Sequence, residues 1–411
     1  MSEPQKPRSL RRVKISLKQE EEAVQRAILS LCNKALGWHI SFEEAEFEKI
    51  SGGISNILVK VTPKPKAAAD DDPSPPPPEA RCGCLGARGA RRRVGGALEP
   101  AVVKVFGDKT ELLVDRRAEA KAVVALGAQG FGPRVLTLFA NGRIEQFLHC
   151  ATLTPQQMCD PRFIPRIAAL LARFHSVQAR LPRRPSTFPT IRRWLRMARR
   201  LKFASDDPKA AAYAALDFGA ISAEVDAVEA ACARAASPVV FGHNDLLSGN
   251  ILILQRPGFD PAAPDLDGPL TVIDFEYGAY THRGFDFGNH FNEYAGFECD
   301  YTRYPDREKQ ALFFSHYFGS PSGPAPLDAP RLERLCAEAD VFALASHIYW
   351  GVWAVVQARY SPIDFDYMGY HKLRFDEYHR RKAEFMARAA AAFGGGGEAA
   401  AAAAAGQAAA A

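Results

Sequence analysis

The chain contains 411 residues, of which 47% are hydrophobic and 24% are charged. This balance is that of a soluble globular protein with two or three domains or one two-lobed domain, and it excludes a disordered, fibrous or collagen-like chain. The formal net charge is +5, and residues 1–19 supply all of it with six basic side chains against one acidic side chain. Because the rest of the chain is neutral, the charge gives no indication of a nucleic-acid-binding body.

Three stretches of biased composition are predicted to be disordered, because they contain too few large apolar residues to offset the entropy of ordering. They are a basic head over residues 1–19, a Pro- and Asp-containing insertion over residues 63–99, and an Ala/Gly tail over residues 389–411. The remaining chain is predicted to form an N-terminal lobe over residues 20–148 and a C-terminal lobe over residues 149–388.

Membrane-spanning and disulfide-bonded classes are disfavoured. We find no run of 18 or more strongly apolar residues, and the Ala/Gly tail is the nearest approach to one. The eight cysteines are scattered, and the only close pair, Cys82 and Cys84, lacks a second Cys/His pair that would complete a zinc site. We therefore expect a protein of a reducing compartment, the cytoplasm.

The first 150 residues have the pattern of a small antiparallel sheet with one helix. Four stretches show the alternating or β-branched pattern of strands: residues 54–61, 101–106, 135–139 and 143–147. Asn141 and Gly142 separate the last two, which predicts a tight hairpin. A helix is predicted over residues 111–126, with Asp108 as its N-cap and Glu111 three residues further on.

After residue 148 the pattern becomes mainly helical. Five stretches have helical periodicity: residues 163–177, 190–202, 220–236, 308–318 and 332–357. Two short strands, residues 251–254 and 270–273, interrupt them. The sequence therefore predicts an α+β protein, with a small antiparallel sheet lobe, a larger mainly helical lobe and a cleft between them.

The residues most indicative of chemistry flank those two short strands. His243, Asp245 and Asn250 follow the spacing His-x-Asp-x4-Asn before the first strand, and Asp274 begins an Asp-Phe-Glu sequence after the second. If the strands pair as a hairpin, Asn250 and Asp274 lie at its open end. Their oxygens, with those of Asp245, suit Mg²⁺ bound to nucleotide phosphates, and the spacing is that of a kinase catalytic loop. Either aspartate alone would more often be a turn or cap residue, whereas the full order indicates catalysis.

The predicted sheet lobe contains residues that could complete the nucleotide-binding site. Gly53 and Ser55 belong to a Gly-Gly-containing segment that could cover phosphates, although a double glycine is more often a simple turn. Lys104 lies at the centre of an apolar strand, where a buried ammonium group needs a partner. Glu119 in the following helix is the expected partner, and Lys104 would then reach the α- and β-phosphates. The alternative is that Lys104 faces solvent on a half-buried strand.

Together these segments resemble the choline/ethanolamine kinase family, whose members have the protein-kinase-like two-lobed fold. The resemblance covers most of residues 45–385 apart from the insertion. It rests on residues 50–56 (ISGGISN), 102–116 (VVKVFGDKTELLVDR), 241–252 (FGHNDLLSGNIL), 272–280 (VIDFEYGAY), 283–305 (RGFDFGNHFNEYAGFECDYTRYP) and 343–370 (ALASHIYWGVWAVVQARYSPIDFDYMGY). The stretch 289–297 (NHFNEYAGF) resembles the ethanolamine kinase branch.

The resemblance implies a role for each candidate residue. Asp245 would be the catalytic base, and Asn250 and Asp274 would hold Mg²⁺. The residues expected to bind ATP are Gly53, Ser55, Asn56, Lys104 and Glu119, although many family members carry Arg at the position of Lys104. The residues expected to bind the amino alcohol are Glu293, Trp350, Trp353, Tyr367 and Tyr370. Aromatic faces attract an ammonium group, and a carboxylate can accept the hydrogen bonds of a primary one.

The expected activity is ATP- and Mg²⁺-dependent phosphorylation of ethanolamine to phosphoethanolamine, the first step of the CDP-ethanolamine route to phosphatidylethanolamine. A choline kinase or a dual choline/ethanolamine kinase is the alternative within the class, and a catalytically inactive kinase-like binding protein is the alternative outside it. A protein kinase is disfavoured, because no Ala-Pro-Glu sequence follows Asp274. The expected partners are ethanolamine and ATP, without nucleic acid or a transmembrane segment. A homodimer is compatible with the sequence, which does not determine the oligomeric state.

Overall fold

The computed structural model describes residues 7–50, 56–64, 93–94, 97–107 and 109–394. The chain divides into two compact units, Met1–Thr110 with Pro133–Leu148 and Glu111–Gly132 with His149–Ala411. The segment Glu111–Gly132 contains the helix that the sequence placed in the N-terminal lobe, and it groups with the second unit.

The first unit is built on one large sheet. Its described elements are β1 (Arg8–Leu10), α1 (Glu21–Leu36), β2 (Ala45–Ile50), β3 (Asn56–Pro63), β4 (Arg93–Val94), β5 (Ala97–Leu98), β6 (Ala101–Phe106), β7 (Val135–Phe139) and β8 (Gly142–Gln146). Six strands form a sheet in the order β1-β7-β8-β6-β3-β2, and β4 and β5 pair separately. All neighbours in the large sheet are antiparallel except β1 and β7, which are parallel. The predicted antiparallel sheet is therefore a mixed one.

An apolar core stabilises this unit. Val61 of β3 and Val103 of β6 are completely buried, because the alternating strand pattern directs them to one side of the sheet. Ile28 and Cys32 lie one helical turn apart on α1 and are completely buried in the same cluster. The amphipathic patterns of the helix and the strands thus meet in one core.

The basic head is partly ordered, so the prediction of disorder over residues 1–19 is wrong for residues 7–19. Residues 8–10 form β1, and Ile15 is only 3% exposed within the apolar core. The Ile15 amide donates to Asn141 Oδ1 at 3.0 Å, and Asn141 Nδ2 donates to the Ile15 carbonyl at 2.8 Å. Apolar residues between the basic ones, together with these hydrogen bonds, are what attach the segment to the sheet.

The tight hairpin predicted at Asn141 and Gly142 is confirmed between β7 and β8. Glycine is required there, because a Cβ atom on Gly142 would lie 2.2 Å from the backbone oxygen of Lys104 on the neighbouring strand. The close approach keeps β8 paired with β6, where Arg143 lies opposite Lys104.

The second unit is mainly helical. Its helices are α2 (Arg116–Ala128), α3 (Pro155–Met158), α4 (Ile164–His175), α5 (Thr187–Ala198), α6 (Ala210–Ala214), α7 (Phe218–Arg234), α8 (Arg283–Glu293), α9 (Arg307–Tyr317), α10 (Ala329–Tyr360) and α11 (Tyr367–Phe393). Its strands are β9 (Cys150–Thr152), β10 (Val239–Gly242), β11 (Ile251–Leu254), β12 (Leu270–Val272) and β13 (Ala279–His282). The predicted α+β class is confirmed.

The predicted helices are largely confirmed, with one displaced start. The five helices predicted after residue 148 correspond to α4, α5, α7, α9 and α10. However, α2 begins at Arg116 rather than at residue 111, because the Asp115 side chain accepts from the amides of Arg117 and Ala118 and forms the N-cap. The predicted cap, Asp108, lies outside the described residues. The sequence pattern did not predict α1, α8 or α11.

Helix α10 is the central helix of the second unit. By length and composition it could cross a membrane, but its most apolar 18-residue window is entirely buried within the protein. Residues 341–358 contain no Asp, Glu, Lys or Arg, so this helix, and not the Ala/Gly tail, is the nearest approach to a membrane span. A Cβ atom on Gly288 of α8 would lie 2.4 Å from the Ala343 amide nitrogen, so glycine lets α8 pack closely on α10.

Candidate active site

The hairpin predicted to position the catalytic residues is confirmed. β11 and β12 are antiparallel, with Ile251 opposite Val272. The amide of Ile273 donates to the Asn250 carbonyl at 3.0 Å, which places Asn250 and Asp274 at the same end of the hairpin. Asp274 has a φ of 60°, a left-handed conformation that is uncommon for residues other than glycine and clusters at functional sites.

Asp245 and Asn250 are joined directly. Asn250 Nδ2 donates to Asp245 Oδ2 at 3.1 Å and to the Asp245 carbonyl at 2.8 Å. A side-chain amide has only two N–H donors, so both are used within the loop. Asn250 can therefore offer only its Oδ1 oxygen to a cation.

The carboxylate of Asp286 on α8 binds the backbone of the catalytic loop, residues 243–250. The carboxylate accepts from the His243 amide at 2.7 Å and from the Asn244 amide at 2.6 Å. His175 Nε2 lies 2.9 Å from the same carboxylate, and His175 Nδ1 lies 2.7 Å from the Tyr317 hydroxyl. Burial alone would raise the pKa of Asp286, but the hydrogen bond and charge of His175 lower it, so the carboxylate stays ionised. These contacts hold Asn244 at its left-handed φ of 65°.

The loop is also tied to the hairpin by His243. Its Nε2 atom lies 2.9 Å from the Ile273 carbonyl oxygen, one residue before Asp274. Burial lowers the pKa of His243, which favours the neutral ring. Because a carbonyl oxygen can only accept, Nε2 carries the hydrogen and donates it. This bond connects the two segments that contain the predicted catalytic residues.

Asp274 belongs to a group of three acidic residues. The carboxylate oxygens of Glu119, Asp274 and Glu276 lie within 4.8 Å of one another. Arg116 Nη1 donates to Glu119 at 2.7 Å and to Glu276 at 3.1 Å. Oxygen donors in this number and arrangement suit Mg²⁺, so the residues present fit the predicted metal.

Lys104 is 3% exposed on β6, which excludes the alternative that it faces solvent. Asn56, at the start of β3, is also buried. The pairing of Lys104 with Glu119 stays a prediction. Gly53 and Ser55, which were predicted to approach the phosphates, lie outside the described residues.

The electrostatics of Asp245 favour a cation. Burial raises the pKa of Asp245 well above its usual range. The negative charges of Glu293, Asp274 and Glu276 raise it further, while the hydrogen bond from Asn250 opposes them. Several carboxylates that repel one another in a buried site become more stable when a metal ion or an ammonium group binds among them.

Three of the four predicted aromatic residues form one wall, and the fourth, Tyr370, packs against Phe365 with ring centroids 5.8 Å apart. The rings of Trp350 and Trp353, on one face of α10, are 5.4 Å apart, and Tyr367 lies 5.8 Å from Trp353. Tyr277 completes the wall, 5.1 Å from Trp350, and its hydroxyl accepts from Trp353 Nε1 at 2.8 Å. Trp350 Nε1 donates to Asn289 Oδ1 at 2.7 Å. The indole groups are thus held in place by their N–H donors and by edge-to-face contacts with the neighbouring rings.

Glu293 is paired with a residue that the sequence did not indicate. Arg374 Nη1 donates to Glu293 Oε1 at 3.0 Å and lies 3.1 Å from the Tyr370 hydroxyl. Burial raises the pKa of Glu293, and the Arg374 guanidinium opposes that change. The negative charge of Glu293 is one of the causes that raise the pKa of Asp245.

The structure brings most of the predicted residues of the second unit together and adds others. The residues that sequence reasoning missed are Arg116, Glu276, Tyr277, Asp286 and Arg374. Glu276 and Tyr277 directly follow the Asp-Phe pair of the hairpin, and that position could have drawn attention to them. Asp286 and Arg374 carry no local indication, because their partners are distant in sequence.

Comparison with known proteins gives a consistent result. The family model of choline/ethanolamine kinase matches residues 47–379. The probable ethanolamine kinase of Arabidopsis thaliana is 36% identical over 335 residues, which cover 82% of this chain and 79% of that protein. The probable ethanolamine kinase A of Dictyostelium discoideum is 38% identical over 344 residues, which cover 84% of this chain and 87% of that protein.

A solved structure supports the same assignment. The ethanolamine kinase of Plasmodium vivax superposes with a TM-score of 0.70 at 25% identity, over 90% of this chain and 92% of that one. This likeness confirms the fold that the sequence resemblance implied. The family match covers well over half of the sequence, and the resemblance is confirmed with it: the chain belongs to the choline/ethanolamine kinase family.

Proposed function

We propose that this protein transfers the γ-phosphoryl group of ATP to the hydroxyl of ethanolamine. The product is phosphoethanolamine, and the reaction is the first step of the CDP-ethanolamine route to phosphatidylethanolamine. The observation that carries the proposal is the intact Asp245–Asn250 pair beside Asp274, in a chain whose relatives are named ethanolamine kinases. A catalytically inactive relative would be expected to lose at least one of these three residues.

Asp245 is the proposed general base. The hydroxyl oxygen of the substrate forms a bond to the γ-phosphorus, the bond to the bridging oxygen breaks, and ADP leaves while Asp245 accepts the hydroxyl proton. Asn250 and Asp274 would hold Mg²⁺, which would neutralise charge on the phosphates. We assign the phosphates of ATP to Gly53, Ser55, Asn56 and Lys104, with Glu119 as the partner of Lys104, an assignment supported by the burial of Lys104 and Asn56.

The aromatic wall and Glu293 are the proposed binding site for the amino group. Cation–π contact with Trp350, Trp353, Tyr367 and Tyr370 would contribute about 0.5–2 kcal/mol per contact for any ammonium head. Only a primary ammonium can also donate hydrogen bonds to a carboxylate such as Glu293. Choline lacks those donors and would leave the acceptors of the site unpaired.

The test is a comparison of kcat/KM for ethanolamine, N-methylethanolamine, N,N-dimethylethanolamine and choline, with the product identified by phosphorus NMR. We expect ethanolamine to be preferred over choline by at least about tenfold, because an unpaired buried polar group is unfavourable by about 1–3 kcal/mol. Equal kcat/KM values for ethanolamine and choline would identify a dual kinase, because the aromatic wall attracts any ammonium head. ADP formation that does not depend on any acceptor would contradict the proposal.

The cytoplasm is the proposed location, and the cysteines of the described part support it. All six of them are free thiols, as expected where disulfides are kept reduced. A homodimer is the proposed assembly, and sedimentation velocity of the full chain tests it.

A further inference from the structure

Arg374 is a buried cation held by three different side chains. Its side chain is 2% exposed. Nη1 donates to Glu293 Oε1 and to the Tyr370 hydroxyl, and Nη2 donates to Ser346 Oγ at 2.8 Å. A planar guanidinium bound at two of its nitrogens has one defined orientation. Arg374 is therefore a fixed point beside the proposed binding site for the amino group.

Glu293 is engaged through only one of its oxygens. Within the described residues, Oε1 accepts from Arg374 and Oε2 accepts no hydrogen bond. The groups around it are Arg374 and Tyr370 on α11, Cys299 after α8, and Asp245 on the catalytic loop. A buried carboxylate near other carboxylates would take up a proton without a cationic partner. Arg374 supplies that partner and still leaves one carboxylate oxygen for a further donor.

The anchors of Arg374 continue into the rest of the site. Ser346 Oγ donates to Asn289 Oδ1 at 2.8 Å, the same oxygen that accepts from Trp350. Asn289 Nδ2 in turn donates to the Asn244 carbonyl at 3.4 Å. One hydrogen-bonded chain therefore runs from the catalytic loop, past the aromatic wall, to the guanidinium. This chain sets where Glu293 lies relative to Asp245.

We propose that Arg374 is a positioning residue that determines selectivity for a primary ammonium, by holding Glu293 through Oε1 and leaving Oε2 to accept from the substrate. The inference rests on the proposed function and deepens it. The primary ammonium donates to Oε2, whereas a trimethylated ammonium has no donor and uses the aromatic wall alone. Arg374 thus acts on the substrate through Glu293 and does not touch the reacting atoms.

The test compares Arg374→Gln with wild type on two substrates. We expect the KM for ethanolamine to rise about 10- to 100-fold and kcat to stay within about threefold, as for a lost binding contact. The KM for choline should change by less than about threefold, since choline donates no hydrogen bond to Glu293. Equal increases of KM for the two substrates would overturn the inference.

A double-mutant cycle tests whether Arg374 acts through Glu293. In the Glu293→Gln background, Arg374→Gln should raise the KM for ethanolamine by less than about twofold, because the contact that it positions is already lost. Full additivity of the two effects would assign Arg374 a role independent of Glu293 and overturn the inference.

The matched control is another buried arginine–glutamate pair. Arg283 Nη2 lies 2.7 Å from Glu338 Oε2, and neither residue contacts the proposed site. Arg283→Gln should leave both KM values unchanged, so a change there would indicate a general effect of losing a buried ion pair.

Wild-type turnover distinguishes failure of the proposed function from failure of this inference. If wild type does not turn over ethanolamine, the proposed function is contradicted. If wild type is active and Arg374→Gln has an unchanged KM for ethanolamine, only this inference is contradicted.

A second variant keeps the inference testable if Arg374→Gln does not fold. Ser346→Ala removes one anchor of Arg374 and preserves its charge. We expect the KM for ethanolamine to rise about 3- to 10-fold while that for choline changes less, because loss of one hydrogen bond loosens the guanidinium. An unchanged KM for ethanolamine in a folded Ser346→Ala protein would overturn the inference.

Discussion

The interiors of the two units differ in chemistry. The apolar core of the first unit is a cluster of fifteen buried hydrophobic residues supplied by the sheet, α1 and their flanks. The same unit also buries a few charged residues, among them Lys104, Arg143 and Glu145. In the second unit, ten of the eleven residues of α8 are buried. Half of those ten are polar or charged: Asp286, Asn289, His290, Asn292 and Glu293.

Apolar and polar interiors respond differently to substitution. An apolar core is stabilised by removing surface from water, and it tolerates substitutions that preserve volume. A buried polar group is unfavourable unless it is hydrogen-bonded, so each one requires a particular partner. In α8, Asp286 and Asn289 have found those partners in the catalytic loop and the aromatic wall. The buried polar residues of α8 are therefore expected to tolerate fewer substitutions than the apolar core of the first unit.

The largest effect is expected from Asp245→Asn, which removes the proposed base. The kcat should fall by about 10²–10⁴-fold, measured as ADP formation with ethanolamine. The exposed Asp206→Asn is the control and should have wild-type kcat. Retention of more than about a third of wild-type kcat would remove Asp245 from the role of general base.

The same variant should stabilise the protein without ligands. The folded-state pKa of Asp245 is raised, so its contribution to stability is present at acidic pH and is lost as pH rises through that pKa. At pH 7 the buried carboxyl group of Asp245 therefore makes the fold less stable than a side chain that does not titrate, and Asn is such a side chain. The Tm of Asp245→Asn should exceed that of wild type by about 2 °C or more at pH 7 and equal it near pH 3.

Asp286→Asn should give the next largest effect on turnover. In wild type, the two carboxylate oxygens of Asp286 contact two loop amides and His175. Asparagine offers only one acceptor oxygen, so at least one of these contacts is lost and the loop that contains Asp245 shifts. We expect kcat to fall about 10²-fold, because small displacements of catalytic groups have effects of that size. Asp340→Asn, at another fully buried aspartate bound to Tyr304 and Arg388, is the control for burial alone. Equal losses of kcat in the two variants would contradict a positioning role.

Asn250→Ala and Asp274→Ala should each raise the Mg²⁺ concentration needed for half-maximal activity. Each variant removes one oxygen donor from the same end of the hairpin, and we expect a shift of about 10- to 100-fold. The measurement is a Mg²⁺ titration at fixed ATP. If both variants saturate at the wild-type concentration, the two residues do not share a metal.

A conservative change in the apolar core of the first unit should affect stability and not turnover. Ile144→Val on β8 removes one methylene group from a completely buried position of the apolar core. The free energy of unfolding should fall by about 0.5–1.5 kcal/mol, measured by denaturant titration, while kcat stays at the wild-type value. A loss of kcat greater than about threefold would show that the apolar core also determines activity.

The smallest effect is expected from deleting residues 66–90, which lie outside the described residues. The deletion stops short of β4 and β5, which pair with each other, and of Leu98, which packs on the core. Loop closure changes by only about 0.6 kcal/mol for each doubling of length, so the Tm should shift by less than about 3 °C and kcat should not change. A loss of about 8 °C would mean that the insertion packs on the protein.

The sequence predicted those parts of the fold that depend on neighbouring residues. The β11–β12 hairpin and the end at which Asn250 and Asp274 meet follow from alternation and from the short connection between two strands. The Asn141–Gly142 hairpin follows from turn chemistry in the same way. Helix α8 was missed because half of its ten buried residues are polar or charged, so its composition does not indicate a buried helix.

Order in the basic head was also missed, for a related reason. Ile15 is bound by Asn141, 126 residues further along the chain, and no local pattern indicates such a contact. Basic composition alone therefore predicted disorder where β1 forms. The prediction failed because pairing with β7 satisfies the backbone of residues 8–10 from a distant part of the sequence.

The order of chemistry-bearing residues along the catalytic loop and hairpin was determined by the sequence itself. Asp245, Asn250 and Asp274 occupy one loop and one hairpin, so their spacing alone predicts that they meet. Which groups support them was decided by tertiary structure. Arg374 reaches Glu293 across 81 residues, and Asp286 accepts from the His243 amide across 43. The first contact depends on the packing of α8 and α11 on α10, and the second on the packing of α8 against β10. Buried charges that need partners then pair with the groups that this packing brings within reach.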